Sequence, residues 1–227
     1  MLTCKHWITF LLFGCLTSWC FAQETAMRTS SVGMSIKEKF EVLKNDKRKK
    51  HGSYQAYRDT STLANGYYRN GERSGHWVFY DHTHKMVQAY NNTRHQLIYQ
   101  DTANVAKLGY EFTDSVAVGD KIRYPVKIGG LQYGISPLTL NVDALARTLY
   151  ASSPGRNKFS CLHIFTVGTE GQIKKHEVLV DQGGQKKMYE LNDNNIADEY
   201  KRFIPGTING KPAECKVSVE TIIATFD

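Results

Sequence analysis

One run, residues 66–81, restricts the fold more than any other. It places Tyr67 and Tyr68 before Asn70-Gly71, then Gly75, then Trp77, Phe79 and Tyr80. Asn-Gly between two aromatic-rich runs is a hairpin turn signal, because both residues tolerate the positive φ that a tight two-residue turn requires. The run has an echo upstream: Gly52/Gly75, Tyr54/Trp77 and Tyr57/Tyr80 each stand 23 positions apart, as do Tyr67 and Tyr90. A hairpin cannot bury its apolar face alone, so units related in this way stack side by side.

Around this run the reading extends to a meander. Residues 52–57, 63–68, 76–80, 85–90 and 96–99 have strand character, with short joins and no proline between residues 51 and 101. Upstream, residues 24–34 read as a flexible lead-in. Ser35 with Glu38 forms a capping-box pattern, and Ile36, Phe40 and Leu43 follow at i, i+4 and i+7, which predicts a short helix to about Asn45.

The stretch resembles MORN-type repeats, in particular the Tyr-x-Asn-Gly-x-x-x-Gly-x-Trp-x-x-Tyr form found in exported bacterial proteins. The match lies at Tyr68, Asn70, Gly71, Gly75, Trp77 and Tyr80 for one full unit. The unit before it matches in its second half. The unit after it has Asn92-Thr93 in place of Asn-Gly.

Residues 101–123 form a transition, with strand character at 105–112 and 115–118. Beyond it the texture changes. Asn141 is placed to cap a helix whose apolar stripe is Val142, Leu145, Ala146, Leu149 and Tyr150, stopped by Ser153-Pro154-Gly155. Strands follow at 159–167 and 173–180, a second helix at 193–203 with Ile196, Tyr200 and Phe203 on one face, and a final strand at 215–226. This order resembles the periplasmic C-terminal domain of TonB proteins. Gly129-Gly130, the 167–173 turn region, residues 203–206 and Gly210-Lys211-Pro212 carry the likeness, over residues 124–227. Force transmission by a TonB needs a retained anchor and a long proline-rich linker, and no such linker is read here. The resemblance therefore implies the domain's fold rather than energy transduction.

The expected class is α+β: an antiparallel, MORN-like hairpin meander followed by a small TonB-like domain with a three-stranded sheet and two helices. The expected organisation is a signal peptide over 1–22, a lead-in and short helix over 23–50, hairpin repeats over 51–103, and linking strands with the C-terminal domain over 104–227.

The start of the chain supplies the compartment. Lys5 and His6 precede an apolar run, and Ala22 is small enough to lie before a cleavage point. Lipidation at Cys15, within Leu12-Phe13-Gly14-Cys15, is the competing reading. The apolar run is too short for a membrane span, so no retained transmembrane segment is expected, and the mature protein lies in the periplasm or at the outer membrane. Removing residues 1–22 takes Lys5 away, so the formal charge of +7 falls to +6 over about 205 residues. Cys161 and Cys215 remain, and an oxidising compartment offers them a disulfide; two buried free thiols are the other reading.

Candidate sites follow from charge and aromatic density. Lys44, Lys47, Arg48, Lys49 and Lys50 form a basic patch for an anionic glycan, lipopolysaccharide or lipid head groups, or simply a solvated turn. It lacks the aromatic interleaving of a nucleic-acid platform. Tyr68, Trp77, Phe79, Tyr80 and Tyr90 are candidates for a protein-binding face. The last strand offers an edge for strand addition. His82 and His84, with Asp81 nearby, carry the metal reading, and Cys161 with His163 share a strand face. No third metal ligand, phosphate loop or carboxylate pair accompanies them, so no metal and no cofactor are expected. The leading expectation is a non-enzymatic envelope protein that binds another protein or acts as a scaffold. A basic glycan-binding module and a metal-dependent envelope hydrolase are the alternatives.

Overall fold

The computed structural model describes residues 24–32, 36–105, 107–152, 158–182 and 184–224. The export signal, Cys15, the Ser35 cap and the Pro154-Gly155 stop lie outside the described residues.

A seven-stranded antiparallel meander forms the first layer, its strands adjacent in chain order. They are β1 (Thr25–Val32), β2 (Ile36–Leu43), β3 (Lys50–Arg58), β4 (Ser61–Arg69), β5 (Glu72–Tyr80), β6 (Met86–Asn91) and β7 (Gln96–Gln100). The first two correct the expected lead-in and helix. In β2, Ile36, Glu38, Phe40 and Val42 are buried, whereas Lys37 and Lys39 are exposed. That is period two, and pairing with β1 on one side and β3 on the other satisfies the backbone. Asn70, at φ 54°, and Gly71, at φ 95°, make the β4–β5 turn as their sequence dictates.

A short helix, α1 (Thr102–Val105), leaves the meander. The second layer is a five-stranded sheet in the order β13-β12-β11-β17-β8. Its strands are β8 (Gly109–Phe112), β11 (Lys158–Val167), β12 (Ile173–Asp181), β13 (Lys186–Glu190) and β17 (Cys215–Ala224). Two small pairings join it: β10 (Val126–Lys127) with β14 (Phe203–Ile204), and β9 (Ile122–Arg123) with β15 (Gly206–Ile208) and β16 (Lys211–Ala213).

The sheet thus has two strands more than expected, β8 and β13, and residues 115–118 are not a strand. One of the two expected helices is present as α3 (Asp143–Ser152). The other, over 193–203, is reduced to a 3₁₀ turn at Asp198–Tyr200. Tyr200 and Phe203 are drawn into different apolar clusters, Tyr200 into the meander core and Phe203 into that of the five-stranded sheet.

The segment between the layers carries a π-helical turn, Gly130–Ile135, and α2 (Ser136–Thr139). Its residues divide between two cores. Tyr133 packs with Tyr54, Trp77 and Phe79 on the meander, whereas Ile135 and Leu138 join Phe165, Val167 and Val217 on the second sheet. A third cluster gathers Leu145 and Leu149 of α3 against Phe159, Val178, Val180 and Ile223. Gly66 has a packing role: the Trp77 indole occupies the place a Cβ there would take. The indole N–H donates to the Tyr67 carbonyl at 3.2 Å.

Candidate functional site

The aromatic residues expected at a binding face are instead the inner wall of the meander. Tyr68, Trp77, Phe79 and Tyr90 are buried and Tyr80 is half-buried. The reason is the covering segment: Tyr133 stacks on Phe79 with ring centroids 5.5 Å apart and meets Tyr54 edge-on. The aromatic exposed in this run is Tyr67, on the opposite face.

Burying so many tyrosines creates a problem of polar satisfaction, which the chain solves with a charged network. Tyr54 Oη donates to Glu38 Oε1 at 2.6 Å, and Tyr200 Oη donates to the same oxygen at 2.8 Å. Tyr54 and Tyr133 share a hydrogen bond of 2.8 Å. Tyr68 Oη donates to Glu199 Oε2. Arg73 donates through Nε to Glu199 at 3.2 Å and through Nη2 to Tyr133 Oη at 2.9 Å. Its guanidinium lies 4.4 Å from the centre of the Trp77 ring, a cation–π contact.

Lys50 belongs to this network as well. Its ammonium pairs with Glu38 at 3.3 Å and Glu199 at 3.7 Å, about 5 Å from the rings of Phe40, Tyr54 and Tyr68. Two cations therefore face two carboxylates within an aromatic wall. Burial pushes the Glu38 carboxyl up. The Lys50 charge and the hydroxyls of Tyr54, Ser30 and Tyr200 outweigh it and hold Glu38 below its ordinary range.

The rest of the expected basic patch stays at the surface. Lys44 pairs with Glu24, Arg48 and Lys49 pair with Asp46, and Lys47 is exposed. The network opens at its Arg73 end into a cleft of about 790 Å³, with Arg69, Asn70, Asn92, Thr93, Arg202 and Glu199 among its lining residues.

A second polar chain crosses the five-stranded sheet. Asp193 Oδ2 meets His176 Nδ1 at 2.9 Å, and His176 Nε2 meets His163 Nδ1 at 2.9 Å. His163 Nε2 is buried without a hydrogen-bond partner among the described residues. Burial, together with the neighbouring His176, pushes His163 down to about 3, so its ring is neutral at ordinary pH. Such a chain can fix tautomers. Cys161, two positions along the strand, meets the Thr221 hydroxyl at 3.0 Å instead of an imidazole.

Cys161 and Cys215 are free and buried. They lie on neighbouring strands, but Cys161 is opposite Thr221 and Cys215 is opposite Val167. Six positions of strand, about 20 Å, separate the two levels, far beyond disulfide reach. His82 and His84 are exposed in the β5–β6 turn, where Asp81 Oδ1 accepts from Thr83 and Lys85. No group of three or more His, Cys, Asp or Glu side chains among the described residues is placed to hold a metal.

The edge of β17 is the remaining feature. The strand pairs with β11 along its whole length, but β8 covers its other side from Cys215 to Ser218. Residues 219–224 have no described strand on that side, and Ile222 there is exposed. A groove of about 660 Å³ runs beside this edge, lined in part by Leu108, Leu131, Ile135, Val219 and Thr221.

No protein-family model, curated protein or solved structure matches this chain.

Proposed function

We propose that this chain is a non-enzymatic protein of the bacterial cell envelope whose work is to hold another protein, with the hairpin meander as its rigid frame. The MORN-like and TonB-like readings of its two halves belong to the same proposal. The hairpin run supports the first, and the order α3, β11, β12, β17 supports part of the second. The observation that carries the reading is the edge of β17 over residues 219–224, which no described strand covers, beside a groove whose wall mixes apolar and polar side chains. An open edge offers backbone N–H and C=O groups in register, and a groove next to it selects side chains at alternate positions of an added strand. The partner segment expected here is extended, with apolar side chains where it meets Leu131 and Ile135 and polar ones where it meets Gln132, Ser136 and Thr139.

Among the buried groups, the two networks are consistent with this reading. The tyrosine–arginine network ties the layers together, and the His163 ring is enclosed within the sheet. No described membrane-crossing helix is present.

The test is capture from an envelope fraction at high salt, comparing the wild type with Ile222→Asp and with Ala224→Pro. A defined protein retained by the wild type and lost by both variants supports the reading. Equal retention by all three rejects the edge as the docking site.

A further inference from the structure

The meander's topology gathers charge at one end. Its β2–β3, β4–β5 and β6–β7 turns all lie at the same end of the sheet, and the first two touch through Gly71 N–H donating to the Lys50 carbonyl at 2.8 Å. These turns and their flanks carry Lys44, Lys47, Arg48, Lys49, Arg69 and Arg94, all exposed, against the two carboxylates Asp46 and Glu72. The opposite end carries Asp59, Asp81 and Asp101 together with Arg58 and Lys85, the lysine paired with Asp101 at 2.7 Å. The cleft opens at the basic end, between the 70–71 and 92–95 turns, with Arg202 contributed by the other half of the molecule.

Several donors in that cleft are uncommitted. Among the described residues, no carboxylate forms an ion pair with Arg69 or Arg202. Arg73 uses Nε and Nη2 inward, and its remaining nitrogen, Nη1, has no described partner. Asn92 Nδ2 is buried without a hydrogen-bond partner among the described residues. Arg73 is also preorganised: its plane is fixed between Glu199, Tyr133 and the Trp77 ring, so an incoming anion costs little side-chain entropy.

We propose that this cleft binds an acidic saccharide, its anionic groups on Arg69, Arg73 and Arg202 and its hydroxyls on the amide, hydroxyl and carboxylate side chains around them. The volume, about 790 Å³, lies within the range of ligand sites. The lining separates this ligand from other polyanions. Asn70, Ser74, Asn92 and Thr93 exchange hydrogen bonds with hydroxyls, and Glu72 and Glu199 accept from them. A sugar unit offers those carboxylates several hydroxyl donors, against one backbone N–H per residue of an acidic peptide. Among the described residues no Phe, Tyr or Trp lines the cleft to stack a nucleobase, and the His95 imidazole is the one ring at its wall. The charge and hydroxyl chemistry is common to carboxylated and sulfated sugars.

The test measures binding of four probes to the purified protein at low and high salt: a polygalacturonate oligomer, a heparin-derived oligomer, neutral dextran and oligo-glutamate of matched charge. The Arg69→Ala/Arg202→Ala variant alters exposed rim residues and leaves the network intact. The Lys47→Ala/Arg48→Ala/Lys49→Ala variant lowers the charge of the same end outside the cleft. The proposal expects one or both acidic oligosaccharides to bind, dextran not to bind, and oligo-glutamate to bind more weakly. It expects the rim variant to weaken binding roughly tenfold and the lysine-run variant to have the smaller effect. Preference between polygalacturonate and the heparin oligomer identifies the anionic group. Binding of oligo-glutamate at least as tight, an equal or larger loss in the lysine-run variant, or no saccharide binding at low salt overturns the proposal.

Discussion

Arg73 and Glu199 are 126 positions apart in the chain and meet at 3.2 Å. One stands on β5 of the meander and the other on the 3₁₀ turn near the second sheet. Their pairing closes the polar network that seats Tyr133 and Tyr200 on the aromatic wall of the meander. It also sets the direction of Arg73, and so the floor of the cleft.

Removing one partner leaves the other charged in a half-dry site. Arg73→Ala is expected to cost about 3–5 kcal/mol, because Glu199 loses its nearest cation and Tyr133 loses a charged donor. Glu199→Gln keeps an acceptor for Tyr68 and Arg73 and is expected to cost about 1–3 kcal/mol. The double variant falls short of the sum by about 1–3 kcal/mol, since the residues act through one contact. Urea unfolding of the four proteins checks this, and additive losses would show that the pair is not coupled.

Gly66 and Trp77 make the second prediction. The indole fills the space of a Cβ at residue 66, so Gly66→Ala forces the ring or the strand to move. Overpacking of this kind costs about 1–3 kcal/mol. The near-ultraviolet circular dichroism of the indole is expected to change with it. Gly66→Ala at wild-type stability with an unchanged spectrum would place the indole elsewhere.

These two pairs show which parts of the fold can be read along the chain. The hairpins from β3 to β7 are legible because Asn70-Gly71, the short joins and the alternating aromatics are all local signals. β2 reads as a helix along the chain because Ile36 and Phe40 satisfy a helical spacing and a strand spacing equally over so short a run. The difference lies in Glu38, a buried charge on the inner face whose partners, Lys50, Tyr54 and Tyr200, come from β3 and from far downstream. The site was hidden for the same reason. The aromatic positions were visible, but which face was covered depended on Tyr133 and Tyr200, brought in from the other half. Arg73, a lone guanidinium beside the aromatic strand, was the signal that could have marked the network.

Acid sensitivity follows from His163. Burial holds its folded pKa at about 3, against an ordinary value of about 6.5. Between those values the unfolded chain takes up a proton that the folded ring refuses. Stability is therefore full above about pH 6.5 and falls as pH drops toward 3, by at most about 1.4 kcal/mol per pH unit for this one group. Asp193 adds loss in the same direction at lower pH. Burial raises its carboxyl, but the His176 hydrogen bond and charge outweigh that and hold it below its ordinary value. The measurement is the urea midpoint from pH 7.5 down to pH 5 for wild type and His163→Gln. The variant keeps an amide donor toward His176 without the titration, so its profile is expected to be flatter. Parallel profiles would assign the acid sensitivity to other groups.

The cysteines give the last prediction. Cys161 and Cys215 sit at different levels of the β11–β17 pair, and both are buried. Burial also pushes both thiols up, Cys215 to about 11, so little reactive thiolate forms at neutral pH. Peptide mapping after alkylation of the native protein is expected to find both residues unmodified, and alkylation in denaturant should modify both. An oxidising compartment does not alter this result, because oxidation cannot bridge two sulfurs held about 20 Å apart without separating the strands. A Cys161–Cys215 linked peptide from native, unreduced protein would require β11 and β17 to pair in a different register. The positions of Phe165 and Val217 in the apolar cluster would then change with it.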